Sequence, residues 1–391
     1  MKSRSFAAVA SLMVLILTTG CWDNEELTGY GFVQAVAIDL TKDGEFQLTT
    51  HFYSPTGGAE MRDSEQQKQS GINIQTQGKT IFEAVRDIPI HFGRKAKWDH
   101  LRVILLGEQV LRTQGVGAIL EYFSRDHEPR GTILPLVTEG PASDYLNIKP
   151  FIEHTIGQQL KRMETDGADY AAKTSKIPLF ELAIQLKSAT GVSTVPYIHR
   201  DGGQQDVTVS GIALLKDGKL AKAIVTPKDT QALMLLTNKY KSGILEYPCS
   251  GGEGEQPSGS ESFEVLDAAT RLTPRVENDQ VTVRIQTRIA GAVGELRCTQ
   301  ITKNAEKESL EDRLKRQVER QIRKTLSFLQ RERMDALGIG NQVYRKEPAL
   351  WKQWQPVWGE HFAKIRFHLD VDVQVLNTGM NVGKPFGRED E

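Results

Sequence analysis

Apolar positions along this chain follow two clear periods, and each predicts a different element. Near the C-terminus two runs alternate strictly: in "VTVRIQTRI" Val281, Val283, Ile285 and Ile289 fall on one face, and in "IRFHLDVDVQV" Ile365, Phe367, Leu369, Val371, Val373 and Val375 do the same. That spacing predicts strands that bury one side only. Between them Leu310, Leu314, Val318, Ile322, Leu326 and Leu329 recur at helical spacing, predicting a long helix over about 305–337 whose apolar stripe covers the strands. An antiparallel sheet on one long helix, an α+β unit, is the expected arrangement.

The first half reads differently. "FVQAVAIDL" and "GEFQLTTHFY" flank Asp43-Gly44 and predict a hairpin. Thr80 followed by Glu83 predicts a capped helix running to Ile88, with Pro89 ending it. "LRVILLGE" is apolar without alternation, as a central strand buried on both faces would be. A helix over 116–124 and a strand in "TILPLVTEG" follow, so strands and helices alternate as in a mixed α/β sheet. The middle reads as helical through "DYLNIKPF", "IGQQLKRM" and "PLFELAIQLKS". "DGGQQD" at 201–206 is the strongest break. After it, "VTVSGIALLKDGKLAKAIVT" predicts two strands around Asp217-Gly218, and Thr226, Pro227 and Asp229 announce a helix.

The pattern at the N-terminus belongs to neither class. Lys2 and Arg4 precede twelve apolar or small residues, Phe6 to Leu17, too few to span a bilayer permanently. The run ends in Thr18, Thr19, Gly20 and Cys21. This resembles the lipobox of bacterial lipoproteins, in which Cys21 would be diacylated and become the new N-terminus. Two acyl chains suffice for stable anchoring. The organisation expected is a leader over 1–20, an N-terminal α/β domain over 21–142, a helical middle region over 143–203, a C-terminal α+β domain over 204–377 and a polar tail over 378–391.

Composition narrows the chemistry. The chain is 39% hydrophobic and 25% charged, as in water-soluble globular bodies. Of 49 basic and 50 acidic side chains, loss of Lys2 and Arg4 with the leader leaves 47 basic and a formal charge of −3. A nucleic-acid binder of this size would be clearly basic, so that class is set aside. With Cys21 acylated, Cys249 and Cys298 remain, either bridged or as two free thiols. The eight histidines show no ligand-like pairing, so no metal is expected. There is no G-x-S-x-G, H-E-x-x-H, P-loop or C-x-x-C, and His127 in "RDHEPR" lacks a partner motif. No catalytic residue and no cofactor are assigned.

Two features admit an interface reading beside a plain one. Arg313, Arg316, Arg320 and Arg323 lie opposite the apolar stripe of the long helix, as a docking face for anionic headgroups or an acidic partner, or as a solvated face. Trp351 and Trp354, with Trp358, are either an interface anchor or buried packing.

The opening "GCWDNEEL", then "HLRVILLGE", "YFSRDHEPR" and "VSGIALLKDGKL", followed by a long charged helix and a closing alternating strand, resemble the Ger(x)C family of spore germination lipoproteins. The resemblance covers nearly the whole mature chain; Thr18 and the Gly/Ser/Glu-rich loop at 250–262 depart from the pattern. It implies a three-domain α/β protein on the outer face of the inner spore membrane. It also implies assembly with two polytopic membrane partners, the A and B subunits of a nutrient germinant receptor, and no enzymatic activity. A solute-binding lipoprotein serving an importer is the alternative, although such proteins have two similar lobes, which the two unlike halves of this chain do not suggest.

Overall fold

The computed structural model describes residues 26–54, 71–203, 206–249, 259–379 and 385. The leader, Cys21, the polar stretch over 55–70, most of the 250–262 loop and nearly all of the tail lie outside the described residues.

Strands β1 (Tyr30–Leu40), β2 (Phe46–Tyr53), β3 (Gly71–Gly78), β4 (Lys95–Lys97), β5 (Val103–Gly107), β6 (Leu134–Thr138), β7 (Val192–Arg200), β8 (Val207–Lys216) and β9 (Lys219–Val225) form one nine-stranded sheet. Its order is β3-β2-β1-β5-β6-β7-β8-β9, with β4 beside the start of β1. The centre, β1-β5-β6-β7, is parallel. Antiparallel pairs extend it at both sides.

Every residue of β5 and β6 is buried, because helices cover both faces of the parallel centre. On one face lie α1 (Ile81–Phe92), α2 (Glu108–Thr113), α3 (Val116–Arg125) and, beyond the next crossover, α5 (Leu179–Leu186). The opposite face is covered by a 3-10 turn at Ala142–Asn147 and by α4 (Ile156–Asp166).

The second sheet has four strands, β10 (Gly243–Pro248), β11 (Ser260–Glu277), β12 (Gln280–Glu295) and β13 (Arg366–Asn377), in that order. Before it comes α6 (Pro227–Leu236); between β12 and β13 come α7 (Asn304–Arg331), α8 (Ile339–Lys346), α9 (Pro348–Trp354) and α10 (Trp358–Ala363). All six apolar stripe residues of α7 are buried, and they cover the inner face of this sheet with Val283, Ile285 and Val373. Helix α6 is buried from Asp229 to Leu236 because it is packed between β8 of the large sheet and α7 and β11 of the small one. One apolar cluster therefore runs through both units.

Five expectations are corrected. Strands β8 and β9, expected to open the C-terminal domain at 204, complete the large sheet instead. The 143–203 region is not a separate domain, since its helices cover that sheet and β7 lies inside it. The last strand pair is parallel, β12 with β13, because α7 carries the chain back to the end at which β12 began. Helix α1 does not stop at Ile88: it continues through Pro89 to Gly93, whose left-handed φ of 71° ends it while its N–H donates to Pro89 O at 2.8 Å. Helix α7 also ends earlier than 337, where Arg333 takes a φ of 56° and Met334 N donates back to Leu329 O.

Candidate functional site

The described positions singled out in the sequence do not converge on one place. Cys21 lies outside the described residues, nine positions before β1. Cys249 follows β10 and Cys298 follows β12, and the two are bonded, with an S–S distance of 2.11 Å and Cα atoms 5.9 Å apart.

Beside that bridge sits a residue that the sequence did not mark. Glu261, on the second position of β11, has no exposed side-chain surface. Its Oε1 accepts the backbone N–H groups of Arg297 at 2.9 Å, Cys298 at 3.0 Å and Thr299 at 2.8 Å, and Oε2 accepts the Thr299 hydroxyl at 2.6 Å. Three successive amides converging on one oxygen form an anion-binding nest, here filled by the chain's own carboxylate. Burial by itself would raise the Glu261 pKa, but the hydrogen bonds from Thr299, Cys298 and Arg297 outweigh it and hold the carboxyl below its ordinary range.

Arg313 belongs to this cluster rather than to an outer face. It is 19% exposed, donates to Thr299 Oγ1 at 2.8 Å, lies 3.8 Å from Glu261 Oε2 and stacks over Tyr247 with 5.7 Å to the ring centre. The docking face expected on α7 thus loses one member, while Arg316, Arg320 and Arg323 are exposed. Cys249, Glu261 and Cys298 are also a group of potential metal-ligand atoms, all within 4.8 Å of one another. The two sulfurs are bonded to each other, so neither is a thiolate, and the carboxylate accepts three amides and a hydroxyl.

The interface reading of Trp351 and Trp354 is corrected by their burial. They are 2% and 6% exposed and lie in the core of the small unit. Trp351 packs 5.0 Å from Trp358, and Trp354 stacks on His361 at 4.4 Å. Gly340 lies beneath them so closely that a Cβ would stand 2.7 Å from both Trp351 and Trp358. The Trp358 indole donates to buried Asp335 at 3.0 Å, and Asp335 also accepts from the Ile339 and Gly340 amides opening α8.

Open α/β sheets present ligands at the carboxyl ends of their parallel strands. Here that end carries a crevice of about 690 Å³ lined by Asp39, Glu108, Arg112 and Ser143 among others. Two of its carboxylates, Asp39 and Glu108, are committed to holding the fold. Asp39 accepts the amides of Ala142 at 2.7 Å and Ser143 at 2.9 Å, and Glu108 accepts from Arg112 at 3.1 Å and from the Tyr197 hydroxyl at 3.0 Å. Burial, then the bond to Glu108, raises the Tyr197 pKa far above the usual phenol range, so it remains a donor. The groups lining the crevice include no nucleophile paired with a base.

Comparison with known proteins gives a consistent result along the chain. A family model described as "Spore germination protein N-terminal domain" matches residues 23–200, and one described as "Spore germination B3/ GerAC like, C-terminal" matches residues 210–379. Spore germination protein B3 of Bacillus subtilis is 27% identical over 395 residues, covering 98% of this chain and 100% of that protein. Spore germination protein KC of the same organism is 20% identical, with 97% of each chain covered. Spore germination protein GerQC of Bacillus cereus is 22% identical over 94% of this chain and 98% of its own length. The crystal structure of the GerBC protein superposes with a TM-score of 0.54 at 21% identity, over 88% of this chain and 97% of that one, which shows a shared fold.

Proposed function

Since the chain belongs to the Ger(x)C family of spore germination proteins, we propose that it is the lipid-anchored subunit of a nutrient germinant receptor, assembling with the polytopic A and B subunits to trigger germination. The observation that carries this is the match of both halves, in order, to spore germination relatives of the same length. Its place in this reading is the outer face of the inner spore membrane, held through diacylated Cys21. Among the described residues no helix is long and apolar enough to cross a membrane, which accords with attachment through lipid. Tethering confines the body to the membrane surface and raises its effective concentration for membrane partners.

The architecture suits assembly rather than turnover. The two unlike sheets share one apolar cluster instead of facing each other as matched lobes around a hinge cleft, so no observation favours the importer alternative. The test is affinity purification from gently solubilised spore membranes with mass spectrometry of partners and of the N-terminal peptide. Co-purification of two polytopic subunits with a diacylated Cys21 is expected. Recovery with an importer permease and ATPase would overturn the reading. In spores, Cys21→Ala is expected to slow nutrient germination and release the protein into the soluble fraction.

A further inference from the structure

The two ends of the large sheet's parallel strands carry different side chains. The strands end at the crevice that carries Asp39, Glu108 and Asp144 beside Arg112. They begin at the opposite end, where Arg102 donates to Gln34 twice, from its backbone N–H to the carbonyl and from Nε to Oε1, each at 3.0 Å. Helix α4 starts across this end. Gly157 lies so close to Gln34 that a Cβ would stand 2.5 Å from the carbonyl oxygen, which fixes the helix against the first half of β1.

On α4 Arg162 is exposed and Lys161 half-buried, with Arg102 of the sheet and exposed Lys176 of the following loop near enough to act on Lys161 electrostatically. Partial burial, and then the charges of Arg102, Lys176 and Arg162, lower the Lys161 pKa from its ordinary value. Cations gathered this way repel one another unless an anion compensates them. Glu153, 3.7 Å from Arg162, supplies one partner within the group.

The segment leading into α4 adds an apolar tip. Phe151 is 65% exposed and Ile152 93% exposed. They are tied to the cationic helix by the bond from Phe151 N to Gln159 Oε1 at 3.2 Å and by the Glu153–Arg162 pair. Bulky apolar side chains bracketed by Lys and Arg are the composition of a surface that enters a headgroup layer.

Chain length orients this surface. Tyr30 is four residues before Gln34 on β1, about 13 Å along the strand. A 3-10 turn at Leu27–Gly29 stands directly before Tyr30, and the six residues from Cys21 to Leu27 reach about 20 Å at full extension. A lipid on Cys21 therefore holds the Arg102 end of the sheet nearest the bilayer, with the crevice at the far end of the strands.

We propose that the surface formed by α4 and the 149–155 segment docks on an anionic phospholipid bilayer, with Phe151 and Ile152 entering the headgroup layer and Lys161, Arg162 and Lys176 facing lipid phosphates. Its orientation rests on the lipid-anchor reading above; its affinity does not. The experiment uses the mature chain carrying Cys21→Ser, which has no acyl group, in flotation with phosphatidylcholine vesicles, with and without phosphatidylglycerol at about one lipid in three.

Binding is expected to the anionic vesicles and not to phosphatidylcholine alone, and it should weaken as salt is raised. Each cation near such a surface is worth about fivefold in partitioning. The double variant Lys161→Glu, Arg162→Glu should therefore lose about 25-fold or more. Phe151→Ser with Ile152→Ser should lose about tenfold. Arg316→Glu with Arg320→Glu on α7, the same change of charge elsewhere, should leave binding unchanged. Equal binding to both vesicle types, or equal losses from the α4 and α7 variants, would overturn the proposal. So would α4 variants that retain vesicle binding but lose capture of the polytopic subunits, which would assign the surface to protein contact. An unmodified Cys21 in spores would remove the anchor reading and leave the vesicle result standing.

Discussion

Replacing Glu261 by alanine should be among the most damaging single changes to the small unit. The carboxylate receives three amide hydrogen bonds and one hydroxyl, with Arg313 at 3.8 Å. Each bond to a charged acceptor is worth about 1.5–3 kcal/mol net, so a plain sum would reach about 6–12 kcal/mol. That sum overstates the effect because the carboxylate gave up its own hydration on burial. Removing one partner of a buried charged cluster costs about 3–5 kcal/mol, and that is the expected loss for Glu261→Ala. Glu261→Gln keeps one acceptor oxygen without the charge and should lose less. The pH dependence is a second signature. The folded-state pKa is depressed, so the stabilisation is fully present above the ordinary carboxyl value of 4.5 and is lost as pH falls through the folded value. Guanidinium denaturation followed by tryptophan fluorescence, with the disulfide intact, at neutral pH and down a series to about pH 3, reads both effects. A Glu261→Ala loss below about 1 kcal/mol, or an acid slope that Glu261→Gln leaves unchanged, would refute this account of the cluster.

Reducing the Cys249–Cys298 bridge frees a loop of 49 residues in the unfolded chain and should cost up to about 4 kcal/mol, measured by denaturation with and without reductant. Because the bridge and Glu261 hold the same turn, reduction and Glu261→Ala together should cost less than the sum of the two. Glu164 is fully buried, with Oε1 accepting from Ile177 N and no partner for Oε2. Burial raises its pKa well above the usual value. The wild type therefore loses stability as pH rises from the ordinary carboxyl value towards the folded one, and Glu164→Gln should be the more stable protein at pH 8 but not at pH 4, by urea denaturation at both. On α7, Ile322→Ala should cost about 2–5 kcal/mol and Arg320→Ala no more than about 0.5 kcal/mol, a contrast that a thermal melt of each variant reads.

How much of this was legible in the sequence depends on what each pattern encodes. Alternation in β12 and β13 marked their buried faces, and the stripe from Leu310 to Leu329 marked the helix that covers them. Local capping was equally readable: the Glu83 amide donates to Thr80 Oγ1 and the Asp229 amide to Thr226 Oγ1, at the two helix starts that the residue types announce. A period says which face is buried but not which neighbour a strand takes or which way that neighbour runs. For that reason the membership of β8 and β9 in the large sheet and the parallel pairing of β13 were not in the pattern. The Glu261 cluster left no signal either, since one acidic residue in a Ser- and Glu-rich stretch becomes informative only when folding brings the turn at 297–299 beside it. Arg313 looked like its exposed helical neighbours for the same reason. The tryptophans carried an ambiguous signal, because a spacing that suits an anchor also suits a cluster closed over Gly340.

The parallel pairing of β12 with β13 also sets an order of events. The residues joined by the Arg284–Asp370 ion pair are 86 positions apart, so the long strand β12 has no neighbour on that side until almost the last segment of the chain has been made. The large sheet needs nothing beyond residue 225 to complete its strand order. A chain emerging from its N-terminus would fold that sheet first and hold the second unit open, bare along one edge, until β13 had been made. Loss of only the final strand, by a late stop codon or by trimming, would leave β12 exposed as a template for pairing with another chain, and aggregation rather than local fraying would be the outcome.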